Sequence, residues 1–140
     1  MKVHLKAFVA GFLATLVFHQ GCVGLFYFLG ILPFAPFNMN PTQPFMIPSV
    51  ISLSFFGGLW GILIWKLVKN DLGKKHWAKS IVYGAIGPTA VALLIVFPLK
   101  GIPVKAIIIP IGLLLNGAWG FGNSLFMKLM KEGPLSNQTS

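Results

Sequence analysis

Residues 7–29 read AFVAGFLATLVFHQGCVGLFYFL, 23 consecutive positions without a lysine, arginine, aspartate or glutamate. A helix needs roughly 17–25 mostly apolar residues to cross a bilayer core of about 30 Å, so this stretch is long enough to span. Three further runs of the same kind follow: Pro48 to Trp65, Ser80 to Leu99 and Ala106 to Met127, of 18, 20 and 22 residues. Allowing the second run one more half-turn, helices are predicted at about 7–29, 48–67, 80–99 and 106–127. The fold class is therefore all-α, a single membrane domain of four transmembrane helices over residues 1–140. Between them lie a proline-rich connection, 30–47, and a basic one, 66–79, and a tail, 128–140, ends the chain.

Composition agrees with that reading. The chain is 56% apolar and 9% charged, whereas a soluble domain carries about 25% charged residues. The net charge of +9 comes from eleven lysines, no arginine and two acids, Asp71 and Glu132. In a soluble protein such a charge would suggest nucleic acid, but here the lysines sit at the ends of apolar runs and no arginine is present to fork onto phosphate or guanine. The pattern is topological, and no nucleic-acid partner is expected. Cys22 is the only cysteine, which excludes an intramolecular disulfide. Met1 to Lys6 is basic and Gly21-Cys22 has the look of a lipoprotein cleavage site, yet apolar sequence continues from Val23 to Leu29, so the first run is expected to stay as a helix.

If the helices alternate in direction, Lys2, Lys6, Lys66, Lys69, Lys74, Lys75, Lys79, Lys128 and Lys131 share one side, against Lys100 and Lys105 on the other. Short lysine-rich segments are retained in the cytoplasm, so both termini are predicted to be cytoplasmic. Lys66, Lys69, Lys74, Lys75 and Lys79, with Trp65 and Trp77 beside them, then face the headgroup layer. Each lysine close to an anionic leaflet contributes about 1 kcal/mol, and contact with anionic phospholipid headgroups is expected. The outer connection, GILPFAPFNMNPTQPFMI, has no charge and four prolines. Proline at that density excludes a regular helix, and a charge-free aromatic segment is expected to lie in the outer interface or fold back over the bundle mouth.

Lipid supplies no hydrophobic drive between helices, so association rests on close packing of small residues and on interhelical hydrogen bonds. Such residues fall into stripes. Gly11, Thr15, His19 and Cys22 are spaced four, four and three in the first helix, and Gly112, Asn116, Gly120 and Asn123 repeat that spacing in the fourth. Ser54, Gly57, Gly58 and Gly61 mark the second, and Ser80, Gly84, Gly87, Pro88 and Thr89 the third. The helix-packing positions predicted are thus Gly11, Ser54, Gly57, Gly58, Gly61, Gly84, Gly112, Gly117 and Gly120. At about 1.5 Å per residue, His19, Gln20, Thr89 and Asn116 lie at similar depth, a candidate midplane polar cluster. Gly58-Leu59-Trp60-Gly61 and Gly117-Ala118-Trp119-Gly120 share the pattern Gly-x-Trp-Gly, which suggests a 2+2 parallel internal repeat.

Proton-coupled pumps and cation exchangers need an embedded carboxylate, and both acids here lie outside the apolar runs. His19 is the one ionisable side chain in mid-membrane. Zinc requires three or four clustered ligands; His19 and Cys22 supply two, so no metal is expected. His4 and His76 lie at the inner boundary, too far from His19 to share a haem within one chain. No catalytic triad, zincin helix or phosphate-cradling loop appears, and neither an enzyme activity nor a cofactor is expected.

Val17-Phe18-His19-Gln20-Gly21, Pro48-Ser49-Val50-Ile51-Ser52-Leu53, Gly57-Gly58-Leu59-Trp60-Gly61 and Asn116-Gly117-Ala118-Trp119-Gly120, taken as a set, resemble a family of small uncharacterised four-helix bacterial inner-membrane proteins. The resemblance runs over nearly the whole chain and implies a multi-pass inner-membrane protein, without bringing a catalytic residue or substrate. The function expected is a non-enzymatic accessory or scaffold component with a membrane-protein partner or a second copy of itself. Two alternatives stand beside it: a homo-oligomeric channel or carrier for an uncharged or lipid-like solute, and quinone or haem binding around His19.

Overall fold

The computed structural model describes residues 1–132; positions 133–140 of the predicted tail lie outside the described residues. The described residues form four helices: α1 at Val3–Phe28, α2 at Ser49–Val68, α3 at Gly73–Leu99 and α4 at Ile108–Leu129. Three of them, α1 to α3, are long and apolar enough to cross a membrane. α4 has 22 residues, but Asn116, Asn123 and Ser124 dilute its apolar character. α1 and α3 each contain a π-turn, at Thr15–His19 and Ala92–Val96.

The helices outrun the apolar runs at the lysine-rich end. α3 starts at Gly73, seven residues before the run begins, because lysine and alanine are good helix formers whether or not they are buried. The basic connection expected at 66–79 is accordingly short. Lys66 closes α2, while Lys74, Lys75 and Lys79 belong to the first two turns of α3.

Each helix neighbours the next in sequence, and α4 closes the ring against α1. The tightest pairs are α1 with α2 and α3 with α4, and the reason is glycine. A β-carbon placed on Gly11 would strike the Gly57 carbonyl and come within 3.0 Å of the Gly61 Cα. In the second pair, a β-carbon on Gly84 would lie 2.8 Å from the Gly120 Cα, and one on Gly120 would strike the Ser80 carbonyl. Of the other predicted packing positions, Gly58 lies against the Phe8 ring, Gly112 against the Thr89 methyl and Gly117 in ordinary contact with Ala85 and Ile81, while Ser54 is fully buried. The main core, Ala7, Ala10, Ala14, Ile64, Trp65, Val68, Trp119 and Met127, fills the half toward the lysine-rich end.

The opposite end is closed by the proline-rich connection. Gly30 leaves α1 with φ +74°, a conformation glycine adopts without steric cost. Leu32 then turns inward and is buried with Val23, Ile111 and Leu115. Beyond it, Pro41–Thr42 (β1) pairs antiparallel with Ile47–Pro48 (β2), directly before α2.

Gly120→Ala is expected to destabilise the protein by about 1–3 kcal/mol, the usual cost of overpacking, because the new methyl meets backbone that cannot step aside. Gly21 has no neighbouring atom within 4 Å of an added β-carbon, so Gly21→Ala serves as the control and is expected to leave the thermal midpoint in detergent unchanged or raised.

Candidate functional site

Buried polar side chains concentrate at two levels of the bundle. The midplane residues predicted as one cluster form two separate pairs. Asn116 Nδ2 donates to Thr89 Oγ1 at 2.9 Å, joining α4 to α3. His19 pairs with its neighbour: Gln20 Oε1 accepts from the Phe37 backbone N–H at 2.7 Å, which turns the amide nitrogen of Gln20 toward His19 Nδ1 at 3.2 Å. Among the described residues no hydrogen bond joins the two pairs. The π-turn at Thr15–His19 alters the α-helical register on which a single stripe from Gly11 to Cys22 depends. What the histidine gains instead is a link, through Gln20, to the proline-rich cap.

The second level was not foreseen as a site. His76, expected at the boundary, is completely buried, as is Ser80, and Ser124 is nearly so. His76 Nδ1 lies 2.9 Å from the Val68 carbonyl at the end of α2, and Nε2 lies 3.0 Å from Ser124 Oγ on α4. Ser124 Oγ is 2.7 Å from Ser80 Oγ on α3, and Ser80 Oγ is 2.7 Å from the Gly120 carbonyl. Four contacts thus tie α2, α3 and α4 together. The rings of Trp65 and Trp77 meet His76 edge-on at 5.6 and 5.8 Å; Trp65, expected among the headgroups, is buried here.

Counting hydrogens shows what this relay can do. The two backbone carbonyls only accept, so Nδ1–H donates to Val68 and the Ser80 hydroxyl to Gly120. Ser80 has then spent its hydrogen, and Ser124 must donate to it. Ser124 in turn can only accept from His76, which requires a hydrogen on Nε2. All four bonds hold together only when both ring nitrogens are protonated, and a neutral ring supports three of them. A proton on His76 therefore adds one bond between α3 and α4.

Three more polar groups complete this half of the bundle. Trp119 Nε1 donates to the Gly11 carbonyl at 3.0 Å, clamping α4 to α1. Asn123 Nδ2 reaches the Gly61 carbonyl at 3.5 Å, and Asn123 Oδ1 and Trp65 Nε1 are buried without a partner among the described residues. At the rim, Lys6 Nζ donates to Glu132 Oε1 at 3.0 Å, while Asp71 holds Lys79 at 3.0 Å and Lys75 at 3.3 Å. Lys75 and Lys79, predicted to face lipid headgroups, are thus ion-paired. Lys66, Lys69 and Lys74 enter no ion pair among the described residues. No group of three or more histidine, cysteine or acidic side chains stands ready for a metal among the described residues.

Sequence reasoning did carry a signal for the relay. His76, Ser80 and Gly84 are spaced four and four, so the histidine continues the packing stripe of α3 toward the lysine-rich end. Treating residues 66–79 as a loop hid that continuation. Ser124, one residue beyond the stripe of α4, had no spacing to mark it. No protein-family model, curated protein or solved structure matches the chain.

Ser124→Ala leaves Nε2 of His76 unpartnered and is expected to cost about 1–3 kcal/mol, the penalty of a buried group left unsatisfied, read as a lower thermal midpoint. Ser124→Thr, which keeps the hydroxyl, should lose less. A separate test concerns acid. The hydrogen bond from Lys79, with help from Lys75, holds the Asp71 carboxyl below the usual range. An acid depressed in the folded state stabilises above its unfolded pKa, about 3.9, and this contribution is lost as pH falls through the folded value. Melting curves should therefore show a fall in stability below about pH 4 that is smaller in Asp71→Asn.

Proposed function

We propose that this chain is a non-enzymatic accessory or scaffold component of the bacterial inner membrane, a four-span bundle with both termini in the cytoplasm. The observation that carries the reading is where its interior polar groups are spent. Trp119, Ser80, Ser124, His76, Asn116 and Thr89 bond to neighbouring helices, and glycine contacts bring the backbones together across both tight pairs. Such groups hold helices in register.

Several features support the finer points. α4 is as long as α2 and packs in the same ring, which favours a fourth span. Lys6 at the start of α1 and Glu132 just past α4 form an ion pair, as fits two termini on one side, and the nine-to-two lysine count assigns that side to the cytoplasm. A 2+2 repeat is favoured by matching contacts: Gly61 sits against Gly11 and the Ala7 carbonyl, and Gly120 sits against Gly84 and the Ser80 carbonyl. Ala7 precedes Gly11 by four residues, as Ser80 precedes Gly84. The resemblance in the four motif segments agrees with an inner-membrane location.

Two measurements test the proposal. A cysteine placed at Lys2 or Lys131 in a Cys22→Ser background should react with an impermeant maleimide only after the cells are opened. The tagged protein, solubilised in mild detergent, should migrate with a larger membrane complex. Solute flux into liposomes that is lost in His19→Leu with assembly intact would overturn the accessory reading in favour of a channel or carrier.

A further inference from the structure

The ring has one sealed seam and one open seam. Between α4 and α1, Trp119 points inward and its indole N–H bonds to Gly11. Between α2 and α3, where adjacent helices touch least, Trp60 occupies the matching place in Gly-x-Trp-Gly and does something else. Its six-membered ring lies against α3 at Gly87, so close that a β-carbon there would stand 3.0 Å from the ring. Trp60, with Phe56, Leu59 and Leu63, lines a shallow open groove of about 210 Å³ on the face of α2, which borders α3 where Trp60 meets Gly87.

The groove has a charged mouth. Phe56, Leu59, Leu63 and Lys66 follow one another at spacings of three, four and three, which places them on one stripe of α2. From Phe56 to Leu63 the helix rises about 10 Å, and Lys66 lies about 4.5 Å further toward the lysine-rich end. Half a bilayer core is about 15 Å deep, so an acyl chain entering beside Lys66 would run the length of the groove. The mouth is also electrically uncompensated. Asp71, the acid of this corner, is held by Lys79 and Lys75, while Lys66, Lys69 and Lys74 are exposed and enter no ion pair among the described residues.

We infer that this face of α2, at the edge of the α2–α3 seam, binds one anionic phospholipid of the cytoplasmic leaflet. One acyl chain lies along Leu63, Leu59 and Phe56 over the Trp60 ring, and the phosphate meets the Lys66 ammonium. The site gives specific form to the headgroup contact expected of these lysines, and for its leaflet it rests on the topology proposed above. It also accounts for the departure of Trp60 from its counterpart: Trp119 seals a seam, whereas Trp60 floors a groove. Lys75 and Lys79, bound to Asp71, are bystanders.

The test is lipid retention. The full-length protein, delipidated in detergent, is titrated with phosphatidylglycerol or phosphatidylcholine carrying identical chains and weighed by native mass spectrometry. One phosphatidylglycerol per chain is expected, retained at lower lipid concentration than phosphatidylcholine. Lys66→Gln should reduce that preference about five-fold, the equivalent of the ~1 kcal/mol a lysine contributes near anionic lipid. Leu63→Trp, which blocks the groove, should weaken retention of both lipids, and Lys75→Gln should change neither. Phosphatidylglycerol brominated along its chains should quench wild-type indole fluorescence more than that of Trp60→Phe.

Equal retention of the two lipids, or a preference that survives Lys66→Gln, would overturn the site, as would a lipid-free dimer, which would put a second copy in the seam. The preference is measured in detergent and does not depend on sidedness. Labelling that puts the termini outside would therefore refute the topology alone, and loss of the preference with the termini inside would refute the site alone.

Discussion

Direct contact between helix backbones, at Gly11 with Gly57 and Gly61 and at Gly84 with Gly120, is the constraint on which the rest of this structure depends. In lipid the apolar side chains gain nothing by leaving their surroundings for one another, so helices associate through close packing and hydrogen bonds. Glycine supplies the first and makes the second available. With a helix surface stripped of side chains, the backbone carbonyls of Gly11 and Gly120 come within reach of Trp119 and Ser80, 3.0 and 2.7 Å away. An alanine at the same positions would push the helices apart and break both kinds of contact together.

The bundle is symmetric where it is tight and asymmetric where it is open. Its two hairpins use glycines in the same manner, at equivalent positions four residues after Ala7 and Ser80. The seams that join the hairpins differ: Trp119 turns inward to bond α1, and Trp60 lies across Gly87 on α3. Beside that second seam, Phe56 and Leu63 on α2 are half-exposed. One seam of the ring is therefore closed by a hydrogen bond and the other by van der Waals contact of an indole ring.

Polarity in the interior is likewise distributed by use. At the midplane Asn116 holds Thr89, and Gln20 ties the proline-rich cap to His19. Toward the lysine-rich end the relay from Val68 through His76, Ser124 and Ser80 to Gly120 joins three helices, and its bond count depends on the proton at His76. The Asn116–Thr89 pair, the Gln20 contact with the cap and the relay each join separate segments, and such bonds fix the register of a bundle with few polar residues.

Spacing of charge and apolar length were sufficient to predict an all-helical bundle, because the length of a spanning helix and the exclusion of charge from its middle are properties of single segments. The stripes of glycine and serine were legible for the same reason: helical periodicity alone sets which residues share a face. The termini of α2 and α3 were less so, since a helix does not stop where its apolar run stops, and Lys74 to Lys79 continue α3 beyond it. Partners were not legible at all. Sequence determined that His19, Gln20, Thr89 and Asn116 would share a depth, and the fold split them into two pairs, because azimuth around a bundle depends on crossing geometry and on a π-turn that no spacing announces. Trp60 and Trp119 likewise share the pattern Gly-x-Trp-Gly in sequence, and only tertiary structure decided that one would bond to Gly11 across a seam and the other lie against Gly87.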